Sequence, residues 1–311
     1  MSSSPVTQPP PSAIELVEVG PRDGLQNEAV LVSTEHKIEL IRRAIAAGAR
    51  RIEVASFVNP KRVPQMADAE AVVEGLGQVA GVTRIGLVLN ERGAERALTC
   101  GLDQLGAVAI ASDPFGIRNQ GQSSAESIDV AARIVTMGRA AGKTAQVTIA
   151  VAFGCPFGGE VDPAHVVRMA ARLAESGPVE IALADTIGVA VPAQVSAMVR
   201  AVAAAIAPLP VRVHFHNTRN TGIANVWAAV EAGATVVDAS IGGLGGCPFA
   251  PGAAGNVASE DVAYMLSRSG VATGLDLGKL IETAQWLSAV MDKTMPSMLA
   301  KAGPFPKDAE Q

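Results

Sequence analysis

Two of the chain's four histidines, His214 and His216, stand one residue apart in the run H-F-H. On a β-strand, residues i and i+2 share a face, so both imidazoles would point the same way, towards the interior of a barrel. Paired imidazoles suit a divalent metal once oxygen ligands complete the set, and Asp23 is the nearest carboxylate candidate. The plainer alternative is one hydrogen-bonded core histidine and one at a site mouth. A two-histidine, one-carboxylate set also matches non-haem iron oxygenases, a weaker choice here because acid/base groups appear without a second redox centre.

Other residues point to acid/base and oxyanion chemistry. Glu53 interrupts the apolar run R-I-E-V-A-S-F and needs a partner if it faces inward; Arg22 is the obvious one. Such a pair either orients Arg22 towards a substrate oxyanion or is a structural ion pair. The glycine-rich segment 242–256, G-G-L-G-G-C-P-F-A-P-G-A-A-G-N, would bring backbone N–H groups close to a ligand. It also carries Cys247, a thiol able to move a proton if it is not an inert loop residue. Gly154-Cys155-Pro156-Phe157 repeats the tetrapeptide at 246–249, so one of the two cysteines can be purely structural. Lys61 and Arg62 would meet phosphate at a rim, although isolated basic residues are more often solvated.

These residues need elements to hold them. From residue 14 onward β-prone runs begin near Ile14, Arg51, Thr83, Gln104, Ala145, Val179, Val211 and Thr235. Most precede alanine-rich segments of helical spacing at 34–48, 91–101, 123–142, 162–176, 191–206 and 221–233. Caps stand at Ser33–Thr34, Asp162–Pro163 and Ser259–Glu260, and stops at Gly48, Gly101, Gly142, Gly177 and Gly233. Eight units of about 32 residues predict an α/β fold of the TIM (β/α)8 barrel class. An extra C-terminal helix is expected over 275–297. A doubly wound sheet is disfavoured because G-P-R-D-G, not G-x-G-x-x-G, follows the first strand. Residues 1–13, rich in proline and serine, read as a disordered lead-in, and 14–311 as a single catalytic domain. In a barrel the chemistry belongs at the C-terminal strand ends. Arg22, Asp23, Asp185, His214 and His216 fall there, with Cys247 and Asn256 after the eighth strand.

Composition agrees with a buried parallel sheet. Of 311 residues, 49% are hydrophobic and 3% aromatic, and mean hydropathy is +0.28, so the core must be built from Ala, Val, Ile and Leu. A net charge of −5 argues against nucleic-acid or anionic-membrane binding. Cys100, Cys155 and Cys247 are too few for a disulfide framework, and the apolar stretch 189–213 is broken by prolines and arginines. With no signal or transit pattern at the start, the expected location is cytoplasmic, with no membrane partner.

Four motifs resemble 3-hydroxy-3-methylglutaryl-CoA lyases: V-E-V-G-P-R-D-G-L-Q-N-E (17–28), I-E-V-A-S-F-V-N-P-K-R-V-P-Q-M-A-D (52–68), A-D-T-I-G (184–188) and G-L-G-G-C-P-F-A-P-G-A-A-G-N (243–256). The resemblance runs from about residue 14 to 300. It implies a metal-dependent barrel lyase, using Mg2+ or Mn2+, that splits a 3-hydroxyacyl-CoA thioester into acetyl-CoA and a keto acid. It further implies Asp23, His214, His216 and Asn256 as metal ligands, and Arg22 on the thioester carbonyl. Glu53 and Asp185 would support the site, Cys247 would be the mobile acid of a lid, and Gln26, Asn119, Thr148 and Arg219 would face the substrate. A homodimer is a family expectation.

The departures are local. Asn217 replaces an acid, Arg219-Asn220 replace Tyr-Gly, and Thr148 stands where the better-known lyases have a tyrosine. These changes predict a cation near the metal and a substrate other than 3-hydroxy-3-methylglutaryl-CoA, with citramalyl-CoA one concrete candidate. A Claisen condensing enzyme of the isopropylmalate or homocitrate synthase type is the alternative, disfavoured because the chain ends about 40 residues past the eighth unit. A non-catalytic CoA-binding barrel would be expected to lack a metal ligand or the cysteine loop, and neither is missing.

Overall fold

The computed structural model describes residues 11–247 and 250–306, and for residues 247 and 250–253 the backbone alone. Eight short apolar runs form eight parallel strands: β1 Glu15–Glu18, β2 Arg51–Ser56, β3 Thr83–Val88, β4 Gln104–Ile110, β5 Thr144–Ala150, β6 Ile181–Asp185, β7 Val211–Phe215 and β8 Val236–Ala239. They pair in sequence order, and the ring closes where β1 meets β8, from Glu15 opposite Val236 to Glu18 opposite Ala239. This is a TIM barrel. Helices over Thr34–Ala46, Glu91–Thr99, Ser124–Ala140, Pro163–Ala174, Pro192–Ile206 and Gly222–Glu231 cover the outside, where the sequence places them. Ser33 and Asp162 cap their helices by accepting from the amides of His36 and Ala164.

Two layers of packing differ in chemistry. Between strands and helices the core is aliphatic and continuous. A second, small apolar cluster, Val17, Val19, Ile85 and Val236, stands apart from it. Buried charged residues span the barrel: Arg212 of β7 reaches Glu53 of β2, and Arg51 of β2 reaches Glu180 just before β6. The β2–β3 register shifts between Glu53 and Ala55, a local irregularity at the glutamate that meets Arg22.

Several expectations change. The lead-in over 1–13 lies mostly outside the described residues, but its end is ordered: the Ile14 amide donates to Ala272 O and the Ala272 amide to Ser12 O, both at 2.9 Å. Helices Ala69–Leu76 and Asp113–Gln120, unforeseen, are only eight residues long, too short for a clear period. Ser259 is not a cap. Ala258 takes the cap position, and the Ser259 hydroxyl donates instead to Glu18 at 2.6 Å. The extra C-terminal helix forms over Leu277–Met291, capped by Asp276, and the chain then folds back so that the Ser297 amide donates to Gly242 O at 3.0 Å. Among the described residues no helix is long and apolar enough to cross a membrane.

Candidate active site and metal centre

The G-P-R-D-G segment forms one π-helical turn, Gly20–Gly24, directly after β1. Its amides at Arg22, Asp23 and Gly24 all converge on Val19 O, which turns the side chains of Arg22 and Asp23 into the barrel mouth. There they meet His214, on β7, and His216 just beyond it. Asp23 Oδ2 lies 3.9 Å from His214 Nε2 and 3.8 Å from His216 Nε2. Asn256 Nδ2 donates to the same oxygen at 2.9 Å. The loop carrying Asn256 is fixed against the strand end, because His216 and Asn256 form a backbone bridge.

The donor set fits a divalent cation. One ligand atom from each of Asp23, His214 and His216 lies within 4.8 Å of the others, and two imidazole nitrogens with a carboxylate suit a first-row or alkaline-earth ion. The setting of His214 supports this: its Nδ1 faces Asp238 Oδ2 at 3.1 Å, which leaves Nε2 on the Asp23 side, free to ligate a cation. That carboxylate–histidine arrangement is how proteins orient a metal-binding imidazole. Burial alone would raise the Asp23 carboxyl. The Arg22 guanidinium in contact with it holds it well below the usual carboxylate range. Asp238, buried too, is likewise pulled down by Arg212 and His214.

Above this cluster is a cavity of about 260 Å³, lined by Arg22, Asp23, Gln26, Glu53, Asn119, Thr148, His214, His216 and Asp238 among others. Arg22 is clamped: its Nε donates to Glu53 Oε2 at 2.7 Å, its Nη2 touches the same oxygen, and its Nη1 meets Asp23. A guanidinium has five N–H bonds, so hydrogens on both Nη atoms remain for a ligand. Gln26 Oε1 is buried with no hydrogen-bond partner among the described residues. Asn119 Nδ2 donates to Phe115 O at 3.0 Å, and the Thr148 hydroxyl to Gln146 Oε1 at 3.2 Å. Asp185 does not line the cavity. It accepts the amides of Val189 and Ala190, both at 2.9 Å, and so shapes the turn after β6; burial raises its carboxyl against those bonds.

The family model described as HMGL-like matches residues 13–287. The chain belongs to that family. With it comes the enzyme class, a carbon–carbon lyase. An (R)-citramalyl-CoA lyase of Chloroflexus aurantiacus is 44% identical over 302 residues, covering 94% of this chain and 95% of that protein. A hydroxymethylglutaryl-CoA lyase of Bacillus subtilis is 40% identical, covering 93% and 97%. A solved HMG-CoA lyase of Acinetobacter baumannii, in complex with coenzyme A and 3-methylmalate, superposes with a TM-score of 0.91 at 39% identity, covering 96% of this chain and 98% of that one.

Within this HMGL-like frame, one expected site residue is elsewhere. Arg219 is exposed and does not line the mouth cavity; its Nη1 donates to the carbonyls of Ile187 and Gly188, each at 2.9 Å. Two carbonyls of the neighbouring loop take its Nη1, and Arg219 lines a second pocket together with Asn256. Cys247 ends the two-residue strand Gly246–Cys247, and its side chain lies outside the described residues. Cys155, in the repeated tetrapeptide, is buried and accepts the amides of Phe157 and Gly158. Lys61 and Arg62 are exposed. Sequence reasoning missed Asp238 and Arg212. Both carried the signal that marked Glu53, a lone charge in an apolar strand: V-V-D-A for one, V-R-V for the other.

Proposed function

We propose that the chain is a divalent-metal-dependent lyase that cleaves a 3-hydroxyacyl-CoA thioester to acetyl-CoA and a keto acid, with citramalyl-CoA as its substrate. The observation that carries the lyase chemistry is the convergence of Asp23, His214 and His216 beside a clamped Arg22 in one cavity. Retro-Claisen cleavage needs a hydroxyl deprotonated, a thioester enolate stabilised and its carbon reprotonated. A divalent cation held by Asp23, His214 and His216, with Asn256 as fourth ligand once its amide oxygen faces inward, would acidify the substrate hydroxyl, whose proton would pass to solvent water at the cavity mouth. Arg22 would donate its remaining Nη hydrogens to the thioester oxygen, where negative charge grows as the bond breaks. Glu53 holds that guanidinium in place. Cys247 would supply the proton to the enolate carbon from the glycine-rich loop.

Support for the substrate comes from Thr148. It lines the cavity with a small hydroxyl where the resemblance leads one to expect a phenol, so this part of the acyl pocket differs from that of the better-known lyases. Citramalyl-CoA is one methylene shorter than 3-hydroxy-3-methylglutaryl-CoA between carbinol and carboxylate. The sequence resemblance to an (R)-citramalyl-CoA lyase favours the same choice. Steady-state kinetics on the two thioesters, with and without chelator, test it. The expected result is chelator-sensitive release of acetyl-CoA with kcat/KM favouring the citramalyl thioester by about tenfold or more. A clear preference for 3-hydroxy-3-methylglutaryl-CoA would remove the substrate assignment, and chelator-resistant cleavage the metal.

A further inference from the structure

Arg212 lies on β7 two residues before His214, and its side chain is wholly buried. It does not line the mouth cavity, and nothing in the chemistry above uses it. Its bonds are nevertheless divided in a particular way. Nη2 donates to Glu53 Oε1 at 2.8 Å, while the other oxygen of Glu53 takes Arg22 Nε at 2.7 Å. Nε donates to Asp238 Oδ1, while the other oxygen of Asp238 faces His214 Nδ1 at 3.1 Å. Nη1 reaches Glu180 at 3.3 Å, and Glu180 is held in turn by Arg51. Each of the two carboxylates beneath the site therefore gives one oxygen to Arg212 and one to a residue that would do the chemistry.

We propose that Arg212 is a positioning residue: one buried guanidinium sets the carboxylate that aims Arg22 and the carboxylate that aims His214, and so fixes the oxyanion donor relative to the metal centre. The planar fork suits this. Its donor directions are fixed and its charge is permanent, so both carboxylates face it at defined angles. A buried ion pair is poor evidence for stability, because desolvation offsets most of the attraction. Its use here is geometric. Lysine would keep the charge and lose the fork, reaching one carboxylate well and the other poorly.

The proposal rests on the metal-lyase reading, and its test separates the two. Arg212→Lys and Arg212→Met are compared with the parent for fold and thermal midpoint, for kcat and KM on both thioesters, and for Mn2+ affinity by titration calorimetry without substrate. Because outer-shell partners of metal ligands are worth about 10–100-fold, both variants should bind Mn2+ at least about tenfold more weakly. Their kcat should fall by a similar factor, with KM moving less. Variants that lose thermal stability but keep kcat, KM and Mn2+ affinity within about twofold of the parent, measured well below their midpoints, would show Arg212 to be structural and overturn the proposal. If neither variant folds, a crystal structure of the parent decides: a guanidinium that does not bridge Glu53 and Asp238 refutes the positioning role. A parent that cleaves neither thioester would sink the lyase reading while leaving the Mn2+ comparison to judge this one.

Discussion

Arg22 is held on two sides, by Glu53 and by Asp23, and a charge fixed in this way costs little reorganisation when an oxyanion forms beside it. Arg22→Lys keeps the charge and loses the fork. Steady-state kinetics should show kcat lower by about 10²–10³-fold, the usual cost of losing one oxyanion donor, with KM changed much less. A near-parental kcat would exclude Arg22 from the transition state. The complementary change is Asp238→Asn, which removes the carboxylate that fixes the His214 tautomer. Mn2+ affinity measured by calorimetry should drop by about 10–100-fold, and unchanged affinity would mean that His214 is oriented by packing alone. Asp238 shows how far the sequence could be read at this scale. Arg212, His214 and His216 follow one another at i, i+2 and i+4, so the period of a strand already puts all three on one face. Which carboxylates they would meet is decided by strands far away in sequence, and no local pattern carries that. The partners of Arg219 are equally non-local: the carbonyls of another loop hold its Nη1.

At the scale of elements the strands were the most legible part, each starting within two residues of its expected place, because a short aliphatic run between turn residues has few other uses. The eight-residue helices and the true cap at Ala258 were not legible, since one or two turns carry too little period and Ser259 serves Glu18 instead of its own helix. Loops that position ligands obey stricter rules than their composition suggests. Gly245, at the root of the glycine-rich hairpin, has φ +118°, and a Cβ there would stand 2.9 Å from Asn256 Nδ2. Gly245→Ala should therefore cost about 1–3 kcal/mol from backbone strain and push Asn256 away from Asp23. Gly246→Ala is the control, because a Cβ at Gly246 meets nothing within 4 Å among the described residues. The first variant is expected to melt earlier and bind Mn2+ more weakly, and the second to behave as the parent. Equal behaviour of the two would show that the approach of Gly245 to Asn256 is not what seats this ligand.

At the seam where β1 pairs with β8, two buried carboxyls, Glu18 and Glu260, tie the adjoining loops together. Glu18 ends β1 and accepts the amides of Gly20 at 2.8 Å and Ile241 at 3.0 Å, together with the Ser259 hydroxyl. It thereby joins the turn carrying Arg22 and Asp23 to the exit of β8 and to helix Ser259–Arg268. Glu260, on that helix, accepts the Gly242 amide with both oxygens at 3.1 Å. Burial pushes both carboxyls up to about 7 from an ordinary 4.5, against the hydrogen bonds they accept; Glu260 adds to the rise at Glu18, and Asp261 to that at Glu260. In the unfolded chain both groups lose their protons near 4.5, whereas in the fold they keep them to about 7. The folded state thus binds more protons across that window, so their contribution to stability is fully present below it, is lost as the pH rises through it, and changes no further above it. Asp23 and Asp238 act in the opposite sense: their lowered values contribute stability above the ordinary carboxylate range that is lost only in acid. Unfolding free energies from urea titrations between about pH 5 and pH 8 should therefore decline with pH. Glu18→Gln and Glu260→Gln should each flatten that slope, because an amide keeps the shape and an acceptor oxygen but carries no titrating proton. If neither substitution changes the slope, the seam carboxyls are ionised throughout, and the closure of the barrel does not respond to pH at this point.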